Sequence, residues 1–310
     1  MGAFRFGVLA EAAGSVEEVV ATARRAEELG YDTVLLRDHF VAEPYGEQVA
    51  PLIGLAAAAV ATSRLKVGTL VLANDYRHPV VLAKEAATLQ QLSGGRFELG
   101  LGAGWLRDEY EAAGMAFDRG GVRVRRLEEA VALLKELFAG KEVRFAGEHY
   151  RVDGVTNHPP VERAPRVLIG AGSPRMLRLA GREADTVGIL AKALPDGTIS
   201  GDMNERLTAS YATKVELVQS EGRDVEISSV VSVELADDPR AAAERYAIER
   251  GWGAGGAELV ADMPAKFLGP LDHVVELAHR RRERLGLSYL VVSDREFEAA
   301  APVVQALSGR

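Results

Sequence analysis

The strongest constraint on this chain of 310 residues is a rhythm: an apolar run, a loop, then an amphipathic stretch at helical spacing, eight times over. The apolar runs, rich in Val, Leu and Ile, read as strands buried on both faces. They fall at residues 4–10, 33–36, 65–72, 96–101, 166–169, 186–190, 225–235 and 288–292. The helix after the first run is the clearest. Ser15 and Glu18 have capping-box spacing, and Val16, Val19, Val20, Ala23, Ala26 and Leu29 make one face. Gly30 stops it. Further helices are predicted over 51–63, 79–92 (with Pro79 in its first position), 123–138, 174–182, 204–219, 239–250, 271–285 and 297–307.

Strands that alternate with helices form parallel sheets, and eight units in about 300 residues suit a closed (β/α)8 TIM barrel. Residues 140–165 break the rhythm. The segments 143–146 and 149–152 read as a hairpin inserted after the fourth helix. No linker divides the chain, so residues 1–310 are expected to form one domain. An open doubly wound sheet is the competing architecture, but its dinucleotide fingerprint is missing: Gly100, Gly102 and Gly104 have the wrong spacing.

Composition removes several function classes. With no cysteine, disulfides, thiolate metal sites and a cysteine nucleophile are excluded. A net charge of −8 argues against nucleic acid, and the cluster Arg280, Arg281, Arg282 and Arg284 reads as the solvated face of a helix. No apolar run approaches the ~20 residues of a membrane span. The N-terminus has no basic segment before an apolar core, so the expected location is the cytoplasm.

Barrel enzymes carry their chemistry at the C-terminal ends of the strands. Those positions hold Glu11, Asp38-His39, Ala73-Asn74-Asp75-Tyr76, Gly102 to Trp105 followed by Asp108 and Glu109, Gly170-Ala171-Gly172-Ser173, and Lys192. Asp38-His39 is the most chemical pair, because imidazole titrates near neutrality and suits proton transfer. A catalytic metal would need three converging ligands. The other histidines are scattered, so no metal is expected. Gly170 to Pro174 joins a strand directly to a helix. Ser173 is placed to cap, and free N–H groups with the helix dipole make the turn a candidate anion site; the competing reading is a tight turn that needs glycine.

Taken together, these residues resemble the luciferase-like monooxygenase family, in particular its branch of oxidoreductases that use the deazaflavin coenzyme F420. The resemblance runs along nearly the whole chain. Its most specific parts are Arg37-Asp38-His39-Phe40, the run from Gly68 to Asn74, Arg77-His78-Pro79, the run from Leu92 to Trp105, and Ile169-Gly170-Ala171-Gly172-Ser173. It implies hydride transfer between F420 and an organic substrate, with Asp38 and His39 lining the ring. Ala73-Asn74 would form a cis bulge behind the ring, Asp108 a polar contact, and Gly170, Ala171, Gly172 and Ser173 a phosphate loop. Trp105 replaces the glutamate acid of the sugar-phosphate dehydrogenases in this branch, which makes an apolar or aromatic substrate more natural. His39 is then the proton donor, with Glu109 second. FMN is the alternative cofactor, and a flavin-binding protein without turnover is the non-enzyme alternative. The resemblance also implies a homodimer.

Overall fold

The computed structural model describes residues 2–11 and 13–310; Ala12 lies outside them. At its centre is a closed barrel of eight parallel strands. They are β1 Arg5–Leu9, β2 Thr33–Leu36, β3 Lys66–Thr69, β4 Phe97–Gly102, β5 Arg166–Ala171, β6 Thr186–Ile189, β7 Glu226–Val230 and β8 Leu287–Ser293. Each pairs with the next in chain order, and β8 returns to β1 with Arg5 opposite Tyr289 and Leu9 opposite Ser293. The TIM barrel predicted from the alternation is the fold the chain adopts.

Strand alternation divides the core in two. In β1, Phe6 and Val8 face outward and pack with the surrounding helices. Leu9 faces the lumen, where it meets Leu35, Leu70, Leu168, Tyr289 and Val291. At the N-terminal end of the barrel the lumen turns charged, and Arg5 bridges Glu98 at 2.5 Å and Glu226 at 2.8 Å. The local signals of the first helix, Val16–Leu29, hold as read. Both halves of its capping box are present, and Gly30 ends it at φ 87°.

Several elements depart from the sequence reading. The third apolar run is not one strand. β3 stops at Thr69, the Leu70–Val71 peptide is cis, and the chain resumes as Leu72–Ala73 beside the end of β4. Thr69 occupies the gap: its hydroxyl donates to Gly100 O and accepts from Gly100 N–H, both at 2.9 Å, in place of main-chain ladder bonds. The seventh run also divides. β7 ends at Val230, and Ser232–Leu235 leaves the barrel to pair in parallel with Lys266–Gly269, a strand the sequence did not reveal. The segments flanking Val231 are alike in hydropathy, so nothing in the pattern marks the exit.

The basic cluster near the C-terminus is only partly solvated. Arg281 is buried and donates to Met263 O at 2.8 Å and Lys266 O at 2.5 Å. Burial lowers its pKa to about 9. The segment after helix Gly120–Phe138 contains an antiparallel pair, Val143–Ala146 with Arg151–Val155. Glu129 of that helix accepts the N–H groups of Glu148, His149 and Tyr150 and so anchors its turn.

Candidate active site

Asp38 and His39 lie two and three residues past the end of β2, on the C-terminal rim. Their surroundings give them different work. The Asp38 carboxylate is buried and engaged on both oxygens. It accepts from Arg77 at 2.5 and 3.0 Å, and from the Ala73 N–H at 3.1 Å. Such a bidentate fork fixes geometry as well as charge. It ties the end of β2 to the segment that follows β3.

His39 places Nδ1 3.1 Å from Glu109 Oε2. The same carboxylate accepts the Tyr76 hydroxyl at 2.7 Å and the Phe40 N–H. Burial opposes the charge on Glu109. The hydrogen bonds from His39, Phe40 and Tyr76 outweigh it and hold the carboxyl below its ordinary value. Burial and then the Glu109 contact raise the Tyr76 phenol, so it stays protonated and donates. An ionised carboxylate can only accept. The shared contact therefore puts a proton on His39 Nδ1 and leaves Nε2 as the nitrogen not engaged by Glu109. Nε2 makes no hydrogen bond among the described residues.

An aromatic wall stands over this histidine. Its ring lies 5.1 Å from Tyr45 and 6.1 Å from Trp105, the latter edge-on at 80°. Arg37 stacks on Tyr45 at 3.9 Å and pairs with Glu11 at 2.6 Å. Sequence reasoning missed Tyr45, and it placed Tyr76 at a strand end without giving it a role. Both lie in irregular segments where no periodicity selects one residue over its neighbours. The short helix Arg107–Ala112 was missed as well, and it is what aims Glu109 inward while Asp108 is left exposed.

Ala73 ends the strand stub and Asn74 begins a turn over Asn74–Tyr76. Asn74 is buried, and its amide donates to the Tyr150 hydroxyl at 3.2 Å. The Ala73–Asn74 bond, predicted cis, is trans. The non-prolyl cis peptide lies at Leu70–Val71, because the chain departs from the ladder where Thr69 replaces it and not where the sequence turns polar.

The turn after β5 leads straight into helix Pro174–Glu183. A Cβ on Gly172 would stand 2.4 Å from Ala191 O, so packing against the next strand end already demands glycine there. Ser173 is the N-cap, yet its side chain makes no capping bond, contrary to expectation. Its hydroxyl and the N–H groups of the first turn stay open to an acceptor. Among the described residues no group of His, Asp or Glu is arranged to hold a metal ion.

The described chain matches the pattern of luciferase-like monooxygenases over residues 3–267. It belongs to that family. A relative from Kineococcus radiotolerans, named F420-dependent glucose-6-phosphate dehydrogenase, is 31% identical over 287 residues, 89% of this chain and 80% of its own. One of the same name from Nakamurella multipartita is 39% identical over 188 residues, 58% and 54% of the two chains. For that relative and several others, the chain spans about half the length of the protein it matches. Among solved structures, an F420-dependent secondary alcohol dehydrogenase in complex with an F420–acetone adduct superposes with a TM-score of 0.75. It is 17% identical, over 98% of both chains. The coenzyme F420 dependent tetrahydromethanopterin reductase of Methanopyrus kandleri gives 0.74 at 18% identity, over 99% of this chain and 98% of its own. At such identities these likenesses speak for the luciferase-like fold.

Proposed function

We propose that this luciferase-like protein transfers a hydride between coenzyme F420 and a small organic substrate, with His39 exchanging the accompanying proton. The observation that carries the reading is the His39–Glu109 pair on the barrel rim of a chain whose near-full-length relative bears an F420-dependent name. The residues present fit such a cofactor. The uncapped Ser173 turn at a helix N-terminus suits a phosphate, and the rim around His39, Ala73 and Asn74 suits the ring.

The bound coenzyme supplies the carbon that carries the hydride. The chain does the rest. Asp38 holds Ala73 in place through its N–H, with Arg77 neutralising the buried charge. Glu109 keeps His39 in one tautomer and fixes the orientation of its ring. His39 Nε2 then gives or takes that proton at the substrate. Tyr45 and Trp105 exclude water and present an aromatic surface, so the substrate class is an apolar or aromatic alcohol or carbonyl compound.

The chain works as a homodimer in this reading. Helix Pro51–Ala61 carries no charged residue, yet Ile53 is 66% and Val60 71% exposed. Val81 and Leu92 of the adjacent helix Pro79–Leu92 extend the patch. A helix that is apolar all round is normally covered, and the uncharged face of helix Pro51–Ala61 can meet its own copy across a two-fold axis.

Fluorescence titration of the pure protein with oxidised F420 and with FMN tests the cofactor. Saturable F420 binding at micromolar concentration, with FMN much weaker, is expected. The reverse order overturns the assignment. Binding with no acceleration of coenzyme reoxidation by any carbonyl acceptor would reduce the protein to a carrier.

A further inference from the structure

The end of the barrel opposite His39 holds a second feature that the hydride chemistry does not use. Around the N-terminal ends of the strands lies a cavity of about 250 Å³. Arg5, Lys66, Arg163 and Arg166 line it, together with Glu98 and Glu226. Arg96 adds a further cation. The wall thus carries five basic side chains against two acidic ones, in a chain whose net charge is −8.

These cations differ in how much donor capacity they keep. Arg5 bridges both carboxylates, at 2.5 Å from Glu98 and 2.8 Å from Glu226, and one of the other cations balances the second charge. Arg96 spends its guanidinium on the carbonyls of Ala59, Thr62, Leu65 and Ser93. Lys66 stands 3.7 Å from the already paired Glu98, and Arg166 uses one nitrogen, Nη2, on Glu226 at 3.4 Å, Thr186 Oγ1 at 3.3 Å and Asp185 O at 3.5 Å. Arg163 is exposed and has no ion pair among the described residues. Moreover, Arg5 Nε and Arg166 Nε are buried without a hydrogen-bond partner, and buried unpaired donors are costly. Positive charge and donors are therefore in surplus, and three of the cations reach solvent.

We propose that this basal cavity is a binding site for a phosphate-type oxyanion. A dianion offsets the excess of positive charge better than a monoanion does. Arginine forks match tetrahedral oxyanions in geometry. The volume falls below the roughly 300–1,000 Å³ of drug-sized ligand pockets, which limits the ligand to a free oxyanion or one on a short carbon chain. The site is independent of the proposed hydride chemistry and lies at the opposite end of the barrel.

Thermal melts of the full chain test it, at matched ionic strength in chloride, inorganic phosphate and glycerol phosphate. A ligand at about a hundred times its Kd stabilises by about 2.7 kcal/mol, which for a chain of this size is a rise of a few degrees. Phosphate should raise Tm where chloride does not. Lys66→Gln/Arg163→Gln should lose the rise, while Ser173→Ala at the opposite rim keeps it. A larger rise with glycerol phosphate assigns the site to a phosphorylated metabolite, and an equal rise to the free anion. Both Lys66 and Arg163 reach solvent, so the double variant should melt normally in chloride. If it does not, calorimetric titration of phosphate into Arg163→Gln alone serves, with at least tenfold weaker binding expected. The proposal is overturned if the wild type shows no rise, if chloride gives the same one, or if phosphate binds the variants undiminished.

Discussion

His39 Nδ1 and Glu109 Oε2 meet at 3.1 Å across 70 residues of sequence, and Tyr76 closes the arrangement from the other side at 2.7 Å. The histidine is thereby held by a buried carboxylate that also accepts from Tyr76 and Phe40. The two roles proposed above, proton exchange at His39 and orientation at Glu109, separate under mutation.

His39→Ala should lower kcat by about 10²–10⁴-fold, the usual contribution of a positioned acid–base group. F420 affinity should change little. A histidine of purely structural use would instead lower Tm and leave the rate per folded molecule intact, so kinetics and a melt are measured together.

Glu109→Gln tests the orienting role through pH. The folded-state pKa of Glu109 lies below its ordinary value of 4.5. A depressed carboxyl contributes stability that is present above that ordinary value and is lost as pH falls through the folded pKa. The wild type should therefore lose Tm more steeply than Glu109→Gln as pH drops below about 4.5. Parallel curves for the two proteins would remove Glu109 from the account.

Arg77→Met leaves the buried Asp38 carboxylate with only the Ala73 N–H. Stripping one partner from a buried pair typically costs about 3–5 kcal/mol, and the lower end is expected because Arg77 is 20% exposed. Asp38→Asn/Arg77→Met should recover part of the loss, since no unpaired charge remains. Urea denaturation of the three variants gives the comparison.

Gly172→Ala sets a Cβ 2.4 Å from Ala191 O, whereas the same change at Gly170 meets side-chain methyls, of Leu190 at 3.0 Å and of Val71 at 3.3 and 3.5 Å. Overpacking of this kind costs about 1–3 kcal/mol. Gly172→Ala should lower both Tm and coenzyme affinity, and Gly170→Ala should do less of each.

Ile53→Glu/Val60→Glu places two charges on the uncovered apolar face. Light scattering should give twice the 33.2 kDa chain mass for the wild type and the single mass for the variant. A wild type that runs at the single mass at micromolar concentration would contradict the dimer.

The barrel was legible because it is written in local signals. Strands buried on both faces must be continuously apolar, and helices need one apolar stripe and recognisable ends. Ser15, Glu18 and Gly30 perform as their spacing demands. The strand-end rule then directed attention to Asp38, His39 and Glu109 before any coordinates. Packing set against local pattern produced the misreadings. Residues 225–235 look like one strand, yet the chain leaves the barrel at Val231 to meet a partner more than thirty residues away. Arg281 sits in a basic run, and only the carbonyls of Met263 and Lys266 decide that it is buried.

The sequence by itself determined the fold class, and it singled out one rim and one histidine as candidates for the chemistry. Each is a property of residue type at a given period, and periodicity survives without knowledge of neighbours. Tertiary structure alone decided how those residues are used. It showed that Asp38 is consumed by Arg77 and Ala73, that Glu109 stands behind His39, and that Ser173 is left uncapped. It also placed the departure from the ladder at Thr69 and not at Asn74. Those facts depend on which donors meet which acceptors across tens of residues, and hydrogen bonding between distant segments leaves no periodic trace in the chain.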